Sequence, residues 1–225
     1  MSKTILITGA GRGIGFALAT SAAQAGHRVF ALSRSTQPLE NIASIEPLSI
    51  DLTNAEAVKD LALQFEQQQI RLDALINNAG ALINKPFSET SWADFESIYR
   101  VNVFGLAHLT RHLLPLINAS GHVVNISSMG GLERTGKFPG LAAYSSSKAA
   151  VNILTELLAE EYKATGPAFN ALALGAVQTE MLTEAFPGFQ APQTPASMAT
   201  HIVQFALEGQ QWYNGKILPL ANTTP

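Results

Sequence analysis

The stretch that decides the fold is Thr4-Ile5-Leu6-Ile7-Thr8-Gly9-Ala10-Gly11-Arg12-Gly13-Ile14-Gly15. Its first five residues are aliphatic or β-branched, the composition of a short strand buried on both faces. Four glycines then fall within residues 9–15, and a helical segment is predicted over residues 14–25. A strand, a glycine-rich turn and a helix open a βαβ unit. Glycines in such a turn let the backbone approach a pyrophosphate, and the helix N-terminus offers unpaired N–H groups and partial positive charge. The spacing is T-G-x-x-x-G-x-G rather than G-x-G-x-x-G, because Ile14 stands where a glycine would. Gly9, Gly13 and Gly15 are therefore the key positions.

The same alternation continues outward. Near-continuous apolar runs at residues 4–8, 28–32, 47–50, 74–77, 122–127 and 169–174 read as strands, and residues 14–25, 55–68, 92–117 and 142–163 read as helices. Thr53 or Asn54 can cap the second helix. Strand and helix alternating over the whole length predict a Rossmann-type doubly wound parallel sheet in three layers, α/β/α, with right-handed crossovers. Residues 186–195 (FPGFQAPQTP) read as a surface loop rather than a boundary, so residues 1–225 form a single domain.

Composition narrows the function. The 225 residues are 47% hydrophobic and 14% charged, against a usual ~25% charged, which excludes a disordered chain. A net charge of −3 without basic runs argues against nucleic acid or an anionic membrane as partner. With no cysteine, disulfides, thiolate-bound zinc and a thiol nucleophile are excluded. No apolar run approaches the ~18 residues that span a bilayer, and no signal cleavage site follows Met1-Ser2-Lys3-Thr4, so a cytoplasmic location is expected. His108 and His112 are spaced like zinc ligands, but Leu109 replaces the glutamate of H-E-x-x-H and no third ligand is evident; no metal is expected.

The glycine loop, then Asp51-Leu52, then Asn77-Asn78-Ala79-Gly80, resembles the short-chain dehydrogenase/reductase family in its compact single-domain form, with the motifs in family order over essentially the whole chain. The resemblance implies that Asn78, Ala79 and Gly80 support the cofactor side of the sheet, and that Asp51 meets the adenine with Leu52 beside it. Read alone, Asp51 is a turn or capping carboxylate. Gly175, Val177 and Thr179 match the positions that meet the nicotinamide carboxamide, although Leu174 stands where the family has proline, a departure that bears on the loop's path.

Tyr144-Ser145-Ser146-Ser147-Lys148 puts a phenol and an ammonium on one helical face. A phenol of pKa ~10 is a poor acid–base group at neutrality. Lys148 and an oxidised nicotinamide would favour the phenolate, a shift worth about 4 kcal/mol. By resemblance Ser128, three residues before Gly131, is the serine that hydrogen-bonds a substrate carbonyl jointly with Tyr144. Asn102 matches the asparagine that holds a proton-relaying water. The segment between Ser128 and Tyr144 is longer than usual for the family, and residues 133–139 are expected to border the substrate entrance. Phe186, Phe189 and Trp212 are candidates for an apolar wall, Arg134 and Lys137 for contact with an anionic group, and the short segment after Thr179 for a small lid over a comparatively open site.

An NAD site places a carboxylate roughly ~20 residues past the glycine loop, at the end of the second strand. Ser33 and Arg34 stand there, no carboxylate occurs before Glu40, and Arg12 lies inside the loop. Two guanidinium groups suit a 2′-phosphate, so NADPH is expected over NADH. The reading is an NADP(H)-dependent oxidoreductase of carbonyl or 3-oxoacyl reductase type, acting on a small-molecule carbonyl/alcohol pair. A non-catalytic NADP(H)-binding regulator is the alternative, and an epimerase or dehydratase would need a larger C-terminal region. Val103, Phe104, Leu106, Leu109, Leu113 and Leu114 exceed what one core face needs, which predicts a homodimer or homotetramer.

Overall fold

The structure is a computed structural model describing residues 1–221. In chain order its main elements are β1 (Thr4–Thr8), α1 (Gly13–Gln24), β2 (Arg28–Ser33), β3 (Ile45–Ser49), α2 (Ala55–Gln67), β4 (Leu72–Asn77), α3 (Trp92–Tyr99), α4 (Leu106–Leu113), β5 (Ile117–Ser128), α5 (Ala142–Glu161), β6 (Ala168–Leu174), α6 (Glu180–Ala185), α7 (Pro195–Glu208) and β7 (Lys216–Leu220). The strands form one parallel sheet in the order β3-β2-β1-β4-β5-β6-β7. The order reverses between β1 and β4, so a crevice opens at their carboxyl ends. On one face α1 and α7 pack Leu18, Ala22, Ile202 and Val203 against Ile5, Ile7 and Ile76. On the other, α2 and α4 pack Val58, Leu61, Phe65, Leu109 and Leu113 against Leu6, Leu75 and Val123. This is the Rossmann-type, three-layer α/β/α sheet expected, and among the described residues no helix is long and apolar enough to cross a membrane.

The helix expected over residues 92–117 is interrupted. After α3, capped by a reciprocal Ser91–Asp94 box, the chain makes a wider π turn over Arg100–Gly105 before α4, and Leu114–Leu116 close it as a 3₁₀ turn around Pro115. The π turn directs Asn102 fully inward and lets Gly105 lie against Leu52, where a Cβ would stand 3.1 Å from Leu52 Cβ. Asn54, not Thr53, caps α2 by accepting from Ala57 N.

Three elements have no counterpart in the sequence reading: the short α6, β7 and α7. β7 is one of the sheet's two edges, half exposed and carrying Lys216 and Pro219, so it lacks the continuous apolar run of an inner strand. α7 begins inside the proline-rich stretch, with Thr194 and Ser197 as a capping pair and Pro195 at its first position. Its buried stripe of Met198, Ala199, Ile202, Val203 and Ala206 falls at helical spacing, a signal present in the sequence.

β7 is tied to the sheet through the Asn170 amide of β6, which rests on the buried His122 imidazole of β5. Asn170 Nδ2 lies 2.8 Å from His122 Nε2 and donates to Tyr213 O at 2.8 Å, while Lys216 N donates to Asn170 Oδ1 at 2.9 Å. Burial lowers the His122 pKa from 6.5 to about 4, so the ring is neutral in the fold and protonates more readily in the unfolded chain. Stability from this group is therefore lost as pH falls from about 6.5 to about 4, by on the order of 3 kcal/mol. We expect His122→Gln to lower stability at neutral pH but to flatten that acid-induced loss, measured by urea unfolding across the same pH interval.

Candidate active site

The crevice is built by stitching the end of β1 to the end of β4. Thr8 Oγ1 accepts from Asn78 N at 3.0 Å and Ala79 N at 2.9 Å, and Asn78 Nδ2 donates back to Thr8 O at 2.9 Å. Behind them Asn77 Nδ2 donates to Thr110 Oγ1 and Asn125 Oδ1, and Asn125 Nδ2 donates to Thr155 Oγ1, so β4, β5, α4 and α5 share one buried polar chain.

The glycine loop has no room for a side chain at Gly9, Gly11 or Gly15. Gly13 sits at φ +56, and a Cβ on Gly15 would stand 2.1 Å from Gly9 O. The first turn of α1 follows with neither a side-chain cap from Arg12 nor an acidic residue. An uncapped N-terminus beside bare backbone suits a phosphate group, so the local structure fits a dinucleotide.

A cleft of about 540 Å³ crosses the strand ends from this loop, and every cofactor and catalytic residue named from the sequence lines it except Asn102. Its glycine-loop end meets Ser33, Arg34, Asp51 and Leu52. Asp51 accepts from Thr53 N at 2.9 Å and Thr53 Oγ1 at 2.8 Å; these bonds, with the Arg34 charge, hold its carboxyl below the usual range. It is thus a turn carboxylate as well as a lining group. Arg34 makes no ion pair among the described residues. Arg12 differs from expectation: its guanidinium pairs at 2.9 Å with Glu184 of α6, and both side chains are exposed. The pairing joins residues 172 positions apart, which sequence spacing does not disclose.

The other end of the cleft holds Ser128, Tyr144 and Lys148. Ser128 ends β5 and accepts from Gly130 N at 3.2 Å, whereas the neighbouring Ser127 is buried and donates to Lys148 O. Burial pushes the Tyr144 phenol up, opposite to the direction expected with an oxidised nicotinamide beside it, and the Ser128 hydroxyl partly offsets this. Lys148 Nζ donates to Ile126 O at 2.8 Å and lies 5.8 Å from the Tyr144 ring centroid; burial lowers its pKa to about 8. A carbonyl oxygen between Ser128 and Tyr144 can accept from both hydroxyls. Asn102 stands behind this group. Its Oδ1 accepts from Ala81 N at 2.7 Å, and its Nδ2 donates to Ala81 O and to Ser147 Oγ. Its amide is engaged at both ends in holding α5 to the turn after β4.

Phe186 and Phe189 line the cleft as expected from the sequence, but Trp212 does not. It precedes β7, at the amino end of the sheet and away from the cleft, and is 80% exposed. Arg134 and Lys137 do not line the cleft either; Lys137 donates to Leu132 O and Thr135 Oγ1 within its own loop. Of residues 133–139, expected at the entrance, Phe138 lines it; Met129, Leu141 and Met181 line it too and carry no motif that would mark them in the sequence. The lid is short, as expected: α6 has six residues, anchored by Asn84 Nδ2 to Ala185 O at 2.8 Å and by Arg12 to Glu184. The loop without the family's proline is fixed by Gly175 N to Leu220 O and Gln178 N to Gln193 O. His108 contacts Ala55 O and the His112 ring, and no group of three metal-binding side chains occurs among the described residues. The apolar surplus expected around α4 is smaller than its composition suggests: Leu106, Leu109 and Leu113 are buried within this chain, and Phe104 is exposed.

A family model described as short chain dehydrogenase matches residues 3–188. An uncharacterized oxidoreductase of Staphylococcus aureus (strain MW2) is 31% identical over 209 residues, covering 89% of each chain. Among solved structures, 4-hydroxyisoleucine dehydrogenase complexed with NADH has a TM-score of 0.86 at 25% identity, covering 97% of each chain. ElxO with NADP bound has a TM-score of 0.84 at 28% identity, also covering 97% of each chain.

The Thr8 hydroxyl is the testable keystone of the crevice. Thr8→Val leaves two turn N–H groups without their acceptor and should cost about 2–4 kcal/mol. Thr8→Ser should retain most of the stability, with denaturant unfolding of the three proteins as the measurement.

Proposed function

Since the chain belongs to the short-chain dehydrogenase family, we propose that it is an NADP(H)-dependent oxidoreductase of the carbonyl reductase type, with Tyr144 as acid and base. The observation that carries this reading is one cleft with an anion-suited glycine loop at one end and the Ser128–Tyr144 hydroxyl pair above Lys148 at the other. A regulator that only bound the dinucleotide has no use for a buried proton donor.

A bound nicotinamide supplies or accepts the hydride. The chain does the rest. Gly9, Gly13, Gly15 and the start of α1 would hold the pyrophosphate, Asp51 and Leu52 would border the adenine, and Gly175, Val177 and Thr179 would meet the nicotinamide side, with Lys148 at its ribose. Ser128 and Tyr144 donate to the carbonyl oxygen and polarise it. As charge develops there, the phenol passes its proton to that oxygen, and the Lys148 ammonium stabilises the phenolate left behind. Asn102 positions Ala81 and Ser147 around this group, and a relay to solvent would leave through Lys148. Burial keeps Tyr144 protonated, which is the form that reduction needs.

Ser33 and Arg34 in place of a carboxylate support a preference for NADPH, with Arg34 already unpaired among the described residues and Arg12 available once its pair with Glu184 opens. Relatives in this family hold either NADH or NADP, so the choice rests on these side chains. Exposed Phe104, Ile153 and Leu157 on the π turn and α5 support assembly with further copies of the chain.

Tyr144→Phe should lower turnover by roughly 10²–10⁴-fold while leaving cofactor binding nearly intact. In the wild type, carbonyl reduction should fall as pH rises and the phenol ionises, whereas alcohol oxidation should rise with pH; initial rates in both directions check the sign. Arg34→Ala should weaken NADPH binding by roughly tenfold to a hundredfold with little change for NADH, since a charged hydrogen bond contributes about 1.5–3 kcal/mol. Calorimetric titration with both dinucleotides measures it, and equal or tighter binding of NADH by the wild type would defeat the NADP assignment.

A further inference from the structure

We propose that the substrate is a neutral carbonyl compound with aryl or branched alkyl substituents, bearing no carboxylate or phosphate; this rests on the oxidoreductase reading and names what its site accepts. Around the Ser128–Tyr144 pair the cleft is walled by Leu82, Met129, Phe138, Leu141, Phe186 and Phe189. Met129 follows Ser128 in the chain, and Leu141 precedes Tyr144 by one helical turn. The Phe138 and Phe186 rings lie 6.0 Å apart, so the loop before α5 and the end of α6 meet as an aromatic rim. Such a wall gains by excluding water from apolar groups.

The charged lining groups lie elsewhere or are already committed. Arg12, Arg34 and Asp51 stand at the glycine-loop and β2–β3 end. Arg100 belongs to the π turn packed on Leu52 and pairs with Glu96 at 2.7 Å. The Lys148 ammonium is buried and donates to Ile126 O. Glu180 adds negative charge beside the glycine loop, its Oε2 being 3.4 Å from where a Cβ on Gly13 would stand. An anionic substrate would therefore meet no free cation at the aromatic end.

Polar side chains around the rim are also engaged. Asn84 Nδ2 donates to Ala185 O. Gln178 Oε1 accepts from Ala191 N at 2.7 Å, and its Nε2 donates to Thr183 Oγ1 at 3.2 Å. Lys137 is held by its own loop. What remains to hydrogen-bond a substrate is the Ser128–Tyr144 pair, enough for one carbonyl oxygen. A carboxylate at the far end of the substrate would lose its hydration without gaining a partner.

The test compares acetophenone with 4-acetylbenzoate, which share the reacting acetyl group and the ring. Tyr144→Phe protein is used so that binding is read without turnover, by ligand-observed magnetic resonance with and without NADPH. NADPH binding is measured separately by calorimetry, so failure to bind it would count against the cofactor reading while the apo titrations still decide this one. Acetophenone should bind at least about tenfold more tightly than 4-acetylbenzoate. Phe138→Arg in the same background, checked for an unchanged thermal transition, should narrow or reverse the difference by giving the carboxylate a partner. Equal or tighter binding of 4-acetylbenzoate before that substitution, or no measurable binding of acetophenone, would overturn the proposal.

Discussion

The structure depends on the hydrogen bonds that join the ends of β1 and β4. Parallel strands diverge into helices on opposite faces where the sheet order reverses, and the loops there have no ladder partner. Thr8 Oγ1 and the Asn78 amide replace the missing ladder, meeting backbone groups on each side of the gap. The crevice is therefore held open by side-chain bonds, with the Asn77–Asn125 amide chain behind it paired except at Asn77 Oδ1. Its bare glycine backbone and the uncapped start of α1 follow from the same arrangement, since both face the opening.

That constraint is carried inward by buried amides. Asn77 connects β4 to Thr110 of α4 and Asn125 of β5, and Asn125 reaches Thr155 of α5. Asn102 adds a second clamp between the turn after β4 and α5 through Ala81 and Ser147. Helix α5 is thus positioned from two directions, and it carries Tyr144 and Lys148. Polar chains in a low-dielectric interior fix one arrangement because any shift leaves a donor or acceptor unmet. The same burial sets the chemistry, raising the phenol and lowering the ammonium, so that it favours the neutral form of each.

The lid couples the two ends of the cleft. α6 presents Glu184 to Arg12 of the glycine loop, and the residue after its end, Phe186, faces Phe138 at the reacting end. One short helix therefore touches a proposed phosphate ligand and a proposed substrate wall. The ion pair between exposed side chains is worth little by itself, so exchanging Glu184 for a phosphate on Arg12 needs no large rearrangement of the core.

The sequence alone determined what depends on local spacing. The glycine loop, the first six strands, the NNAG turn and the Tyr144–Lys148 pair were legible because each is contiguous and its pattern reports burial or a helical face directly. The edge strand β7 was not, since half-exposed residues leave no continuous apolar signal, and α7 was obscured by the prolines at its start. Composition also overstated the free apolar surface around α4, because only packing reveals that Leu106, Leu109 and Leu113 face this chain's own core. The tertiary structure alone decided which side chains meet across the fold: Arg12 with Glu184, Phe138 with Phe186, and Trp212 at the far end from the cleft. Those outcomes depend on how loops distant in sequence converge at the carboxyl ends of the strands, and no local pattern encodes that convergence.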